Sequence, residues 1–138
     1  MKKTITVDFD ETLFDTRPVQ TGWLWVSTGT MEPIERVHDF VHKKAKEGWE
    51  VHVVTFRDKS TSGTEVEDLI AKHKLPIKSI VYTATKPKTS FLKKLNSSLH
   101  IDDDVQVCML ASMAGIDCLL VDYGQENKDE RAKLFSKI

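Results

Sequence analysis

The sequence has no apolar run long enough to span a bilayer or serve as a secretion leader: Met1-Lys2-Lys3 passes directly into the short alternating stretch Thr4–Phe9. The expected setting is therefore aqueous and cytoplasmic, with no membrane partner. Charge of one sign is lacking as well. Against 20 Lys and Arg stand 21 Asp and Glu, a formal net charge of -1, so no global field draws the chain to nucleic acid. Any polyanion must be met locally. Cysteine is scarce: Cys108 and Cys118 lie in apolar stretches without metal-type spacing, as expected of two small buried hydrophobes in a reducing compartment rather than a disulfide. There is no repeat or low-complexity tract. The absence of a Gly-rich phosphate loop with a Lys-Ser/Thr ending excludes a P-loop kinase.

What is there is a chain of 138 residues, 40% hydrophobic, which suffices for one core and predicts a single domain over 1–138. Short β-branched runs at Ile5–Phe9, Val51–Thr55, Ser79–Tyr82, Ser98–Ile101 and Cys118–Val121 predict five strands. Helical spacing fills Glu35–Ala45, Thr64–His73, Thr89–Leu95 and Val105–Ala114, and the charged tail near Lys128–Lys137 predicts a last helix. Gly48, Pro76 and Gly115 punctuate these segments. Such alternation selects an α/β fold, a three-layer α/β/α sandwich of Rossmann-like type on a five-stranded parallel sheet, because each right-handed crossover lays a helix on one face. Ligands then bind at the carboxyl ends of the strands. The least regular stretch, with Pro18, Gly22, Gly29 and two tryptophans, predicts a flap at about residues 14–33.

The first strand runs out into Val7-Asp8-Phe9-Asp10-Glu11-Thr12, two carboxylates two positions apart where the chain leaves an apolar strand. At that spacing one can attack or bind a cation while the other handles a proton. The second strand ends in Thr55 and the fourth in Asp102-Asp103-Asp104, on the same rim. Carboxylates converging from separate strand ends repel one another unless a hard divalent cation sits among their oxygens, and Mg2+ is the natural candidate. A dication beside a carboxylate nucleophile suits a phosphate ester, whose equatorial oxygens also need donors and positive charge. Thr55 and a lysine can supply them, with Lys86 first choice and Lys88 the competitor.

In order and strand placement, Asp8-Phe9-Asp10-Glu11-Thr12, Thr55, Lys86 and Asp102-Asp103 make the chain similar to the haloacid dehalogenase-like (HAD) hydrolases, mostly phosphatases, over nearly its whole length. The resemblance implies that Asp8 attacks phosphorus and ligates the metal. It implies that Asp10 protonates the leaving group, activates water, and offers its carbonyl to the metal. Thr55 would bind the phosphoryl group, Lys86 would steady Asp8, and Asp102 with Asp103 would hold the metal. Asp104 is equally a helix cap. Neither place where the family inserts a cap domain has room for one here, so the site is expected to be capless and open to a large substrate.

Arg57, two residues past Thr55, can grip a substrate phosphate or pair with Asp58 or Glu11. Trp23 and Trp25 can stack on a nucleobase or pack the flap. Thr55, Arg57 and the run from Asp102 through Cys118-Leu119-Leu120-Val121 more loosely resemble the phosphatase half of polynucleotide kinase-phosphatases, which implies a nucleotide or nucleic-acid 3′- or 5′-phosphate as substrate. A small metabolite or phosphoprotein is the alternative. His38 and His42, at i and i+4, lack a third zinc ligand and are expected on a partly exposed helix face, and Lys93-Lys94 on a solvated one. The rival from another class is a phosphoryl-accepting receiver module, which keeps its acidic pair at the first strand and its acceptor at the third.

Overall fold

All four residues of Thr4-Ile5-Thr6-Val7 are buried, as the central strand of a sheet requires, and the rest of the fold is laid down around them. The computed structural model describes residues 3–16, 19–21, 24–26, 31–122 and 133–137. In chain order the elements are β1 (Thr4–Val7), β2 (Phe14–Asp15), β3 (Val19–Thr21), β4 (Leu24–Val26), β5 (Glu32–Pro33), α1 (Glu35–Lys46), β6 (Glu50–Thr55), α2 (Lys59–Ser62) and α3 (Glu65–Lys72). There follow β7 (Ser79–Tyr82), α4 (Thr89–Lys94), β8 (Leu99–Asp102), α5 (Val105–Met113), β9 (Asp117–Asp122) and β10 (Lys133–Lys137).

The sheet has the order β10-β9-β8-β1-β6-β7. The five strands from β9 to β7 are parallel, so the predicted parallel sheet is present, while β10 adds an antiparallel edge against β9. That edge corrects the expectation of a terminal helix: Lys133–Lys137 pair with Leu119–Asp122, and a tail strand that satisfies an open sheet edge competes well with an isolated charged helix. The remainder of that expected helix, 128–132, lies outside the described residues. Helices α1, α3, α4 and α5 stand where helical spacing predicts them. The stops after α1 and α5 use Gly48 at φ 95° and Gly115 at φ 84°, left-handed values that favour glycine.

Successive buried residues of a strand pack on opposite faces of the sheet. Val53 belongs to a core cluster with Val37 and Val41 of α1 and Val66 and Ile70 of α3. Its neighbour Val54 belongs to another, with Leu92 of α4 and Cys108 and Ala111 of α5. Two expectations are corrected here. Cys108 and Cys118 form a disulfide, because β9 follows α5 at once and returns beneath it, bringing their Cα atoms to 5.4 Å. The argument from free thiols to a reducing compartment falls with it. His38 is buried rather than on an exposed face, packed edge-on to Phe14, and its ring nitrogen Nε2 donates to the Leu13 carbonyl at 2.8 Å. Among the described residues no helix is long and apolar enough to cross a membrane. Between β1 and α1, β2 pairs with β5 and β3 with β4. Trp23 and the Trp25 side chain lie outside the described residues.

Candidate active site

The backbone turns abruptly where β1 ends. Phe9 offers its carbonyl to the amides of Leu13 and Phe14, and Glu11 takes the left-handed φ of 57°, uncommon for a residue with a side chain. This turn carries Asp8 at the strand end, Asp10 beyond it, and Thr12 folded back beneath. Thr12 Oγ1, fully buried, lies 3.3 Å from Asp8 Oδ2 and 3.3 Å from Asp103 Oδ1. Carboxylate oxygens of Asp8, Asp102 and Asp103 all fall within 4.8 Å of one another.

Among the described residues one cation faces this cluster. Lys88 Nζ is 2.9 Å from Asp8 Oδ1 and 2.7 Å from Asp102 Oδ2, with the residue 2% exposed. Lys86, the first choice from sequence, is exposed, so the lysine assignment is corrected to Lys88. The reason is local: Lys86 closes a turn, its amide donating to Thr83 O, after the left-handed residues Ala84 and Thr85. Lys88 stands at the start of α4, four residues before the buried Leu92 and on the same inward face. That i,i+4 relation was readable in the sequence.

Crowding shapes the electrostatics. Burial, then the charge of Asp102, push the Asp8 carboxyl well above its usual range, with Lys88 opposing. Asp103 is pushed up to about 6, first by burial and then by Asp102. Burial also works against ionisation of Asp102, but hydrogen bonds and charges from His100 and Lys88 hold it below the usual range. Burial lowers Lys88, and the two carboxylates outweigh it so that the ammonium persists.

His100 was missed in the sequence. It is fully buried, Nε2 donating to Asp102 Oδ2 at 2.8 Å and Nδ1 paired with Thr6 Oγ1 at 2.8 Å, and Thr6 in turn meets Ser97 Oγ at 2.8 Å. The signal was present: a histidine two residues before Asp102 in a strand shares its face. Asp104 caps α5, accepting from the amides of Gln106 and Val107, and is not part of the cluster.

Asp10 is turned elsewhere. Its oxygens accept from Arg57 Nε at 2.8 Å and Arg57 Nη2 at 2.7 Å, a bidentate fork, and from Thr16 Oγ1 at 2.8 Å. Arg57 also pairs with Glu65 at 2.5 Å, so its partners are Asp10 and Glu65, not Asp58 or Glu11. The Asp10 hydrogen bond, against burial, raises the guanidinium above its usual value. Thr55 is fully buried at the end of β6, its hydroxyl accepting from the Arg57 amide at 3.2 Å.

The donor set fits a hard divalent cation: three oxygen ligands from two strand ends, with one ammonium against three carboxylates. Asp8 thus lies between Lys88 and the neighbouring carboxylates, while Asp10, two residues on, is held apart by Arg57. The sequence matches no protein-family model and no curated protein.

Proposed function

We propose that the chain is a Mg2+-dependent phosphomonoester hydrolase of HAD-like type that works through an aspartyl-phosphate on Asp8. The observation that carries this reading is Lys88 Nζ at 2.9 Å from Asp8 Oδ1 beside the Asp8, Asp102 and Asp103 oxygens. The fold around it is a capless three-layer α/β/α sandwich, a reading supported by the pairing of α1 with α3 and of α4 with α5 in separate clusters. The substrate is a nucleotide or nucleic-acid end.

Asp8 Oδ attacks phosphorus while the ester P–O bond breaks, and the leaving oxygen takes a proton from Asp10. Water then attacks the aspartyl-phosphate, giving its proton to Asp10 and releasing phosphate with Asp8 restored. Lys88 neutralises charge on Asp8 and the incoming phosphoryl oxygens, and Thr12 fixes the Asp8 carboxylate. Asp8, Asp102 and Asp103 would hold Mg2+, which when bound offsets phosphoryl charge as a Lewis acid. Asp10 must exchange its Arg57 fork for the leaving group, so Arg57 holds the residue in its resting position.

The test is phosphate release from an aryl phosphate, mononucleotides, 3′- and 5′-phosphorylated oligonucleotides and a phosphopeptide, with Mg2+ or chelator, beside Asp8→Asn. Metal-dependent release that vanishes in Asp8→Asn is expected. Activity surviving that substitution would sink the mechanism, and a long-lived phosphorylated Asp8 without release would mean a signalling module.

A further inference from the structure

We propose that the outer face of α5 is the contact surface of a homodimer, in which the helix packs antiparallel on the α5 of a second copy about a two-fold axis at Met109. The inference does not depend on the chemistry at Asp8. Among the described residues the exposed large hydrophobic side chains are Val105, Met109, Leu110 and Met113, and all four stand on this one helix. Its inner face is buried through Val107, Cys108 and Ala111. The Asp104 cap and the Cys108–Cys118 disulfide hold the helix in place, so the outer ridge is presented preformed. A helix apolar on every side belongs between two packed layers, and among the described residues only one layer is present. Nine residues are too few to span a bilayer. The helix also has none of the Lys or Arg that hold an interfacial helix on lipid.

The occupant is a second copy because the surface complements itself. Val105, Met109 and Met113 lie at i, i+4 and i+8, one ridge of the helix with spacing symmetric about Met109. Turned about a two-fold axis there, Val105 of each copy meets Met113 of the other, Met109 meets its own mate, and Leu110 fills the groove beside the ridge. An isologous contact sets like charges against each other, yet no residue from Val105 to Ile116 is charged, in a chain where 30% are. Nor does the helix offer a charge by which a different protein would be selected. The chain's own Glu126–Arg131, with five of six residues charged, is a poor cover for an apolar ridge. At exposures of 52%, 51%, 44% and 81% the four side chains offer about 400 Å² per copy, as large as the largest patch on an ordinary monomer. Two copies bury about 800 Å² from these residues alone, and Phe56 and Pro87, which share a groove with Leu110, extend the patch toward the roughly 1,200 Å² at which specific interfaces begin. An interface of that size sets a Kd on the order of micromolar.

The test is sedimentation equilibrium of the full-length chain from about 0.1 to about 200 μM, a range that brackets such a Kd. The parent should pass from monomer to dimer as concentration rises. Met109→Glu, which sets two like charges on the axis, should raise Kd by about thirtyfold or more, the scale of a central contact residue, while keeping the parental far-UV circular dichroism. Ala71→Glu, the same charge at an exposed position of α3, should stay within about twofold. A measurement on the unsubstituted chain stands beside these variants. With hydrogen peroxide in large excess, the oxidation rate of Met113, read by peptide mass spectrometry, should fall by about fivefold or more between the lowest and highest concentrations as its thioether is covered. A parent monomeric throughout, a dimer that Met109→Glu leaves intact or that Ala71→Glu weakens as much, or one Met113 oxidation rate at every concentration overturns the proposal.

Discussion

Lys88 Nζ lies 2.9 Å from Asp8 Oδ1, while Lys86, two residues earlier, points to solvent. Replacing Lys88 with Gln should lower kcat for a small aryl phosphate by about 10² or more, the scale for removing one preorganised charge donor. Lys86→Gln should leave kcat unchanged. Steady-state kinetics on the two variants, with circular dichroism to confirm folding, would reveal the reverse outcome at once.

Three carboxylates against one ammonium make the cluster self-repelling until a cation joins it. Mg2+ at about a hundredfold excess over its Kd should therefore stabilise the folded chain by about 2.7 kcal/mol. Asp8→Asn should raise the Tm measured in chelator, because one buried charge is gone, and should shrink the gain on adding Mg2+. A melt in which Mg2+ leaves the parent Tm unmoved would remove the metal from the site.

Both oxygens of Asp10 are occupied by the Arg57 fork. Asp10→Asn should slow formation and breakdown of the intermediate, by about 10² to 10⁴. Arg57→Lys keeps the charge but loses the fork. Its kcat should fall and its pH profile should shift, whereas a role confined to gripping substrate would raise KM alone. Rapid-quench measurement of the phosphorylated chain separates the two steps.

Burial lowers His38 to about 4 from an ordinary value of 6.5, against the Leu13 carbonyl that favours its charged form. Between these values the unfolded chain binds a proton that the folded chain refuses. The stability contributed by neutral His38 is full above pH 6.5 and is lost as pH falls toward about 4, by about 3 kcal/mol at most. His38→Gln, whose amide can still donate to Leu13 O, should flatten this slope in urea unfolding across that range. An unchanged slope would place the acid sensitivity elsewhere.

Where periodicity and strand chemistry agree, the sequence was enough: Ser79–Tyr82 matches its predicted strand end to end, and α1 starts at Glu35 as expected. The Asp8 and Asp102 strand ends come together because parallel strands β1 and β8 are neighbours. What escaped depends on contacts that spacing alone does not order. Lys86 and Lys88 differ only in which side of a turn they leave, and the tail became a strand because β9 had an edge to fill. His38 was misjudged because the acceptor that draws it inward, Leu13 O, is 25 residues away.

From Ser97 through Thr6, His100, Asp102 and Lys88 to Asp8, every link is a contact of 2.7 to 2.9 Å. Substitutions in such a row are not independent events. A change at Ser97 would be felt at the far end, and its harm would depend on what Thr6 and His100 had become. Anyone redesigning this fold for a new reaction should treat the six side chains as one part, replaced together or left alone.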